Sequence, residues 1–306
     1  MVDHKNTIEQ IKALSEDILE YQSVDVKKGY MRMDKRIQKK QARHIYMHAV
    51  SRVAVILLLP LLVSSIVFSY LYMEQKGQLA QVTYNQVSSA PGTVTRLVLP
   101  DQSVVWLNSG SSLSYPSVFN AKERDVKLSG EGYFEVQSDR KHPFYVTTDE
   151  GVRVMAYGTK FNVNAYEDES SVEAVLANGK IDVISRDKTV SLDPEKQALF
   201  DKKTGEFTVS TVNLEEKIGW KDGRLVFRNT PLDVVLKRLS KRYNVDIVLH
   251  KSNDKEYRYR AAFTTETVEQ ILNYLKLTTP IEWTVKGLEQ NNDSSFARGR
   301  IDVYQK

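Results

Sequence analysis

No cysteine occurs among the 306 residues. Disulfides, thiolate metal sites, iron–sulfur clusters and a cysteine nucleophile are therefore excluded, although both a reducing cytosol and a disulfide-free periplasm remain compatible with the chain. Histidine is scarce, at five residues. His142 and His250 have no Ser or Asp arrangement beside them, and the 14 glycines form neither GxGxxG nor a P-loop. HExxH and GxSxG are also missing. Acidic residues are scattered rather than paired, and Glu131 with Glu135 reads as rim charge on a β domain. No enzyme with a diffusible substrate is expected, and no cofactor or metal. A large excess of one charge sign is lacking too: 43 Lys plus Arg face 39 Asp plus Glu, too even a balance for nucleic-acid binding. With 41% hydrophobic and 27% charged residues, global disorder is excluded.

The charge that exists is unevenly placed. Residues 1–52 hold 11 basic and 7 acidic side chains, whereas 74–306 hold 32 of each. Between them Val53–Met73 runs for 21 residues without a charge, the length of about 20 that a helix needs to cross a bilayer. Nine Lys or Arg lie within 27–52 beside a single acid, Asp34. Positive charge stays on the cytoplasmic side, so the expected topology is single-pass at the bacterial inner membrane, with the N-terminus cytoplasmic and the larger part periplasmic. A charged stretch of some 50 residues is too long for a signal peptide. Pro60 would leave backbone locally unpaired and ease attack by an intramembrane protease. His44 and His48, four apart, have no third ligand nearby and read as headgroup-facing.

Within 1–52, Ile8, Ile11, Leu14, Ile18 and Tyr21 recur at helical spacing, and Val26, Tyr30, Met33 and Ile37 repeat the pattern. Two short helices bury little of each other, so these stripes read as a docking face for a partner, with a helical stalk into the membrane as the alternative. After a linker at 74–92, short alternating runs fill 93–212, separated by turn residues. That pattern indicates an all-β sandwich or barrel-like domain, with Asn178-Gly179 as a type I′ hairpin. From 213 to 306 the order becomes β-α-β-β-α-β-β, a small α+β domain. Its first helix is expected to start with Thr230 as N-cap and Pro231 in the first turn, and its loop at 287–298 to be mobile. Trp106, Trp220 and Trp283 are spaced like core residues.

Gly158-Thr159 stands apart. A Thr hydroxyl can attack the preceding carbonyl in an N-to-O acyl shift, and glycine before it removes steric hindrance. An ordinary glycine turn or bulge is the alternative.

Four runs in order, Leu99–Pro116 (LPDQSVVWLNSGSSLSYP), Leu128–Val136 (LSGEGYFEV), His142–Val146 (HPFYV) and Tyr157–Tyr166 (YGTKFNVNAY), resemble the FecR family of membrane-spanning anti-sigma factors. The tail from Leu225 (LVFRNTPLDVVLKRLSKRYNVDI) resembles the C-terminal domain of its Bacteroidetes-type members, itself similar to the secretin/TonB short N-terminal domain. The resemblance implies that residues 1–52 hold an extracytoplasmic-function sigma factor through Ile8, Ile11, Leu14, Ile18, Tyr21, Tyr30 and Met33. It implies that the C-terminal domain receives the N-terminal signalling domain of a TonB-dependent outer-membrane transporter. Edge strands bearing Tyr257, Tyr259, Ala261, Phe263, Ile301 and Val303 are the expected docking sites. Site-1 and intramembrane proteases would then free the sigma factor, and processing at a bond matching Gly158-Thr159 occurs in some relatives. No direct contact with nucleic acid is implied. An envelope docking or assembly protein without a transcriptional role is the competing reading. The family's LPDGT turn is here Pro100-Asp101-Gln102-Ser103, so this turn is expected to avoid positive φ.

Overall fold

The computed structural model describes residues 7–16, 26–78, 83–120, 122–286 and 298–306, and the chain divides into two units, Met1–Gln81 and Val82–Lys306. The first unit is helical. Helix α1 covers residues 7–16, and α2 (Val26–Gln78) continues unbroken for 53 residues past Pro60, about 80 Å at 1.5 Å per residue.

The expected transmembrane helix, and with it the single-pass fold class, is corrected here. Among the described residues no helix is long and apolar enough to cross a membrane. Residues 53–73 lie within α2, which continues beyond them on both sides. The loop expectation at 287–298 falls, but for Arg298, outside the described residues.

The second unit begins with thirteen strands that share one core. They are β1 (Tyr84–Ser88), β2 (Thr95–Val98), β3 (Val104–Leu107), β4 (Ser112–Pro116), β5 (Arg124–Glu135), β6 (Phe144–Thr148), β7 (Arg153–Ala156), β8 (Lys160–Ala165), β9 (Ser171–Asn178), β10 (Ile181–Ser185), β11 (Lys188–Leu192), β12 (Lys196–Asp201) and β13 (Phe207–Thr211). Strand β5 belongs to both layers. Its first half pairs antiparallel with β4 and parallel with β6, and its second half pairs antiparallel with β3 and β8. One layer therefore runs β1-β4-β5-β6-β7-β10-β11 and the other β2-β3-β5-β8-β9-β12-β13. The passage between halves occurs at Gly130, with φ +91°, where a Cβ would stand 2.4 Å from Ser111 Oγ. Only glycine fits that corner.

Inward alternation on the strands builds the core: Phe134, Phe144 and Phe161 are fully buried, Phe134 stacking on Phe161 at 5.2 Å. Each such ring removed from water contributes roughly 1.5–3 kcal/mol. The pairing also changes two sequence expectations. Strands β9 and β10 do not pair with each other; β9 lies between β8 and β12, and β10 between β7 and β11. Asn178-Gly179 thus carries the chain from one layer to the other instead of closing a hairpin. At the turn after Leu99, Gln102 adopts φ +68°, the left-handed value that the glycine-free sequence was expected to avoid. Asp101 holds it there: its carboxylate accepts from Ser103 N at 3.0 Å and Ser103 Oγ at 2.7 Å.

A short helix α3 (Leu214–Ile218) and a 3-10 turn (Gly219–Asp222) lead into β14 (Leu225–Pro231), α4 (Leu232–Tyr243), β15 (Asp246–Lys251), β16 (Arg258–Phe263), α5 (Val268–Thr278), β17 (Ile281–Lys286) and β18 (Arg300–Gln305). Helix α4 buries Leu232, Val235, Leu236 and Leu239, and α5 buries Val268, Ile271, Leu272 and Leu275, the i, i+3, i+4, i+7 stripe of an amphipathic helix. A capping box between Thr267 and Gln270 opens α5. Helix α4 starts differently from expectation. Pro231 is itself the N-cap residue, still paired to Arg258 as the end of β14. Thr230 instead donates to Glu216 Oε1 at 2.7 Å. Strands β14 and β16 pair antiparallel, while β18 lies between β15, parallel, and β17, antiparallel. Trp220 is buried, whereas Trp106 and Trp283 are half-buried.

Candidate functional site

The apolar stripe of α1 is exposed in full. Ile8, Ile11 and Leu14 each keep 65% of their accessible surface, and nothing described covers them. On α2, Tyr30 and Met33 are also exposed. Ile18 and Tyr21 lie outside the described residues. Apolar side chains at three- and four-residue spacing with no internal partner are the anchors that a groove on another protein takes up.

Of the six residues expected to dock a transporter, five fall on two strands with different surroundings, and Tyr257 immediately precedes the first of them. Among the described residues strand β16 pairs with β14 alone, so its other edge is open. Tyr259 and Phe263 turn inward and are buried, while Tyr257 and Ala261 are half-buried. Ile301 and Val303 lie on β18, which has β15 on one side and β17 on the other. The expectation of an edge strand at Ile301–Tyr304 is corrected: both edges are paired and both apolar side chains belong to the core. The outward face of β18 carries a charge cluster that no motif in the sequence announces. Asp302 is 1% exposed, with Arg300 at 2.9 Å, His250 at 2.8 Å and Lys286 at 3.2 Å. Hydrogen bonds from Arg300 and His250 hold its carboxyl well below the usual aspartate range.

Gly158 and Thr159 sit just before β8, and the geometry is restrictive on both sides of their bond. Gly158 takes φ +127°, and a Cβ there would meet Ser138 Cα at 2.7 Å. The Thr159 carbonyl accepts from Val136 N at 3.0 Å. Thr159 is 5% exposed, and its hydroxyl is buried without a hydrogen-bond partner among the described residues. A buried hydroxyl normally finds a partner; this one is spare and belongs to the residue whose own peptide bond it could attack. The neighbouring loop is fixed by Arg124, itself 4% exposed. Arg124 donates to Asp101 Oδ2 at 2.6 Å, to Gln137 O at 3.1 Å and to His142 O at 2.9 Å. These two carbonyls bracket Ser138, against which Gly158 packs.

Glu131 and Glu135 do not form the rim pair that their spacing suggested. Glu135 is a surface residue 3.2 Å from Lys160. Glu131 is buried, and burial pushes its carboxyl above the usual glutamate range. Among the described residues no group of His, Asp and Glu is placed to hold a metal ion.

Two family models match the chain: the one described as FecR protein over residues 85–182 and the one described as FecR, C-terminal over residues 224–290. A crystal structure of a protein from Parabacteroides distasonis, assigned as an anti-sigma factor and solved at 2.50 Å, is 27% identical with a TM-score of 0.62. That match covers 73% of this chain and 100% of the other. A second crystal structure of an anti-sigma factor so assigned from that organism, at 1.65 Å, gives 27% identity and a TM-score of 0.62 over 72% of this chain and 99% of the other. No curated protein matches.

Proposed function

This chain belongs to the FecR family of anti-sigma factors, and from that premise we propose that it sequesters an extracytoplasmic-function sigma factor on the apolar face of α1. The observation that carries the reading is the exposure of Ile8, Ile11 and Leu14 along one helical stripe. Burying three such side chains in a partner supplies roughly 1.5–3 kcal/mol each before the entropy of association is set against it. In this reading the N-terminal end is cytoplasmic and Val82–Lys306 periplasmic. The signal arrives from a TonB-dependent transporter whose signalling domain adds a strand to the open edge of β16, and proteolysis then frees the sigma factor. Co-purification of the full-length chain with the sigma factors of its source organism tests the first step. One sigma factor should be captured, and Ile11→Asp with Leu14→Asp should abolish capture. Retention by the double variant would refute the α1 surface.

A second reading is favoured by the spare hydroxyl of Thr159. In it, Oγ1 attacks the Gly158 carbonyl carbon, the Gly158–Thr159 C–N bond breaks, and the nitrogen leaves as the Thr159 amine, having taken the hydroxyl proton. Water then hydrolyses the resulting ester, leaving a carboxylate on Gly158 and the restored hydroxyl on Thr159. Purified chain should yield two fragments, ending at Gly158 and beginning at Thr159, by intact-mass measurement. Hydroxylamine should speed their appearance. Thr159→Ser should keep cleavage and Thr159→Val should stop it. An intact, hydroxylamine-resistant chain excludes the step.

A further inference from the structure

Asn178-Gly179 has the dipeptide of a hairpin turn but closes no hairpin, so its glycine has another reason to be there. Gly179 takes φ +93°, and its open side faces the Gly158–Thr159 bond. A Cβ on Gly179 would stand 2.6 Å from Thr159 Cγ2, 3.2 Å from Thr159 Cβ and 3.3 Å from the Gly158 carbonyl oxygen. Non-bonded carbon atoms rest at about 3.5–4.0 Å. The Thr159 methyl therefore occupies the space that any other residue at position 179 would fill with its own Cβ.

That contact fixes more than the methyl. Threonine Cβ carries a methyl, a hydroxyl and a hydrogen in one handedness, and its χ1 settles in staggered positions. Once the methyl is seated against Gly179, the direction of the hydroxyl follows. This is the hydroxyl that is buried without a hydrogen-bond partner among the described residues, so no hydrogen bond there sets its direction instead.

The backbone is shaped to the same end. Asn178 pairs with Lys160 but Leu176 pairs with Phe161, which makes Ala177 an extra residue, a bulge just before the turn. Bulges re-aim side chains and are frequent beside active sites. Gly158 packs on Ser138, and the Thr159 carbonyl accepts from Val136 N at 3.0 Å. The main chain of the bond is thus held by residues 136–138, and the side chain that could attack it by Gly179.

We propose that Gly179 is a positioning residue for cleavage at Gly158–Thr159. The inference rests on the acyl-shift reading, in which Oγ1 bonds to the Gly158 carbonyl carbon, the C–N bond breaks and the hydroxyl proton passes to the Thr159 nitrogen. Gly179 takes no part in that exchange. It admits the Thr159 methyl, which keeps Oγ1 in one rotamer, and it leaves the Gly158 carbonyl oxygen clear of a side chain. The reacting atoms are then oriented before the reaction begins. A side chain at 179 would turn Thr159 about χ1 or push the carbonyl aside.

The test is the first-order rate at which the two fragments appear in the purified full-length chain, read by intact mass. Gly179→Ala and Gly179→Asn are each measured alone and combined with Thr159→Ser. Both add the same Cβ, and asparagine tolerates positive φ better than alanine. Serine keeps the nucleophile but lacks the methyl that the new Cβ would strike. Alone, each Gly179 variant should slow cleavage about tenfold or more. On the Thr159→Ser background each should change the rate by less than about threefold. Backbone strain and misfolding act alike in both backgrounds, and only the methyl contact differs. Gly205→Ala, another glycine at positive φ but with only the end of the Arg186 side chain nearby, should leave the rate unchanged. Equal slowing in both backgrounds, or none in either, overturns the role of Gly179 and leaves the cleavage standing. A parent chain or a Thr159→Ser chain that stays intact refutes the acyl shift itself, and this role with it.

Discussion

Replacing Arg124 with methionine should be among the most damaging single changes in Val82–Lys306. The side chain is 5% exposed and its partner Asp101 13%, so the pair is screened little by solvent. The methionine keeps most of the apolar stem but removes the charge and three hydrogen bonds, to Asp101 Oδ2, Gln137 O and His142 O. Breaking a buried pair by deleting one partner costs about 3–5 kcal/mol, because the other charge is stranded. A domain's whole stability is about 5–15 kcal/mol. With a urea slope of about 3 kcal/mol/M for a unit of this size, the midpoint should fall by about 1–1.7 M. The assay is urea unfolding of residues 82–306. That fragment is a fair subject, since a solved relative is matched over 100% of its chain by 73% of this one. Asp101→Asn added to Arg124→Met should restore part of the loss, because no charge is then stranded. A shift below about 0.3 M, the size of an exposed pair, or a double variant as unstable as the sum of the singles, would refute the reasoning.

Gly158→Ala should destabilise the same fragment by about 2–5 kcal/mol, combining a backbone conformation closed to L-residues with overpacking against Ser138. Urea unfolding beside a Gly205→Ala control checks it, since no atom but the end of the Arg186 side chain approaches that position. Asp302 gives the pH dependence its sign. Its folded pKa is depressed, so its contribution is complete above the unfolded value of about 3.9 and fades as pH falls through the lower folded value. The midpoint difference between the native fragment and Asp302→Asn should be constant above about pH 4 and shrink in stronger acid. A difference that stays constant into strong acid would place the Arg300–His250–Lys286 cluster outside the titration.

The helices are legible in the sequence because their determinants are local. Four apolar residues at i, i+3, i+4 and i+7 commit α4 and α5 to one buried face whatever lies opposite. Strand identity is legible for the same reason, through alternation over a few residues. Strand partnership is not. Asn178-Gly179 has the dipeptide of a hairpin, but which strand lies beside β9 depends on residues 160–165 and 196–201, and no local signal carries that choice. Strands β16 and β18 look alike in sequence, yet one keeps an open edge and the other is flanked on both sides. The turn at Gln102 departs for a different reason: local preference is overridden, because Asp101 is anchored by Arg124, 23 residues further on. The sites divide along the same line. Gly158-Thr159 is contiguous and the α1 stripe periodic, so both stand out in the order of residues alone. The cluster around Asp302 is assembled from Asp302, Arg300, His250 and Lys286, residues that share no motif and meet only once β15, β17 and β18 have paired.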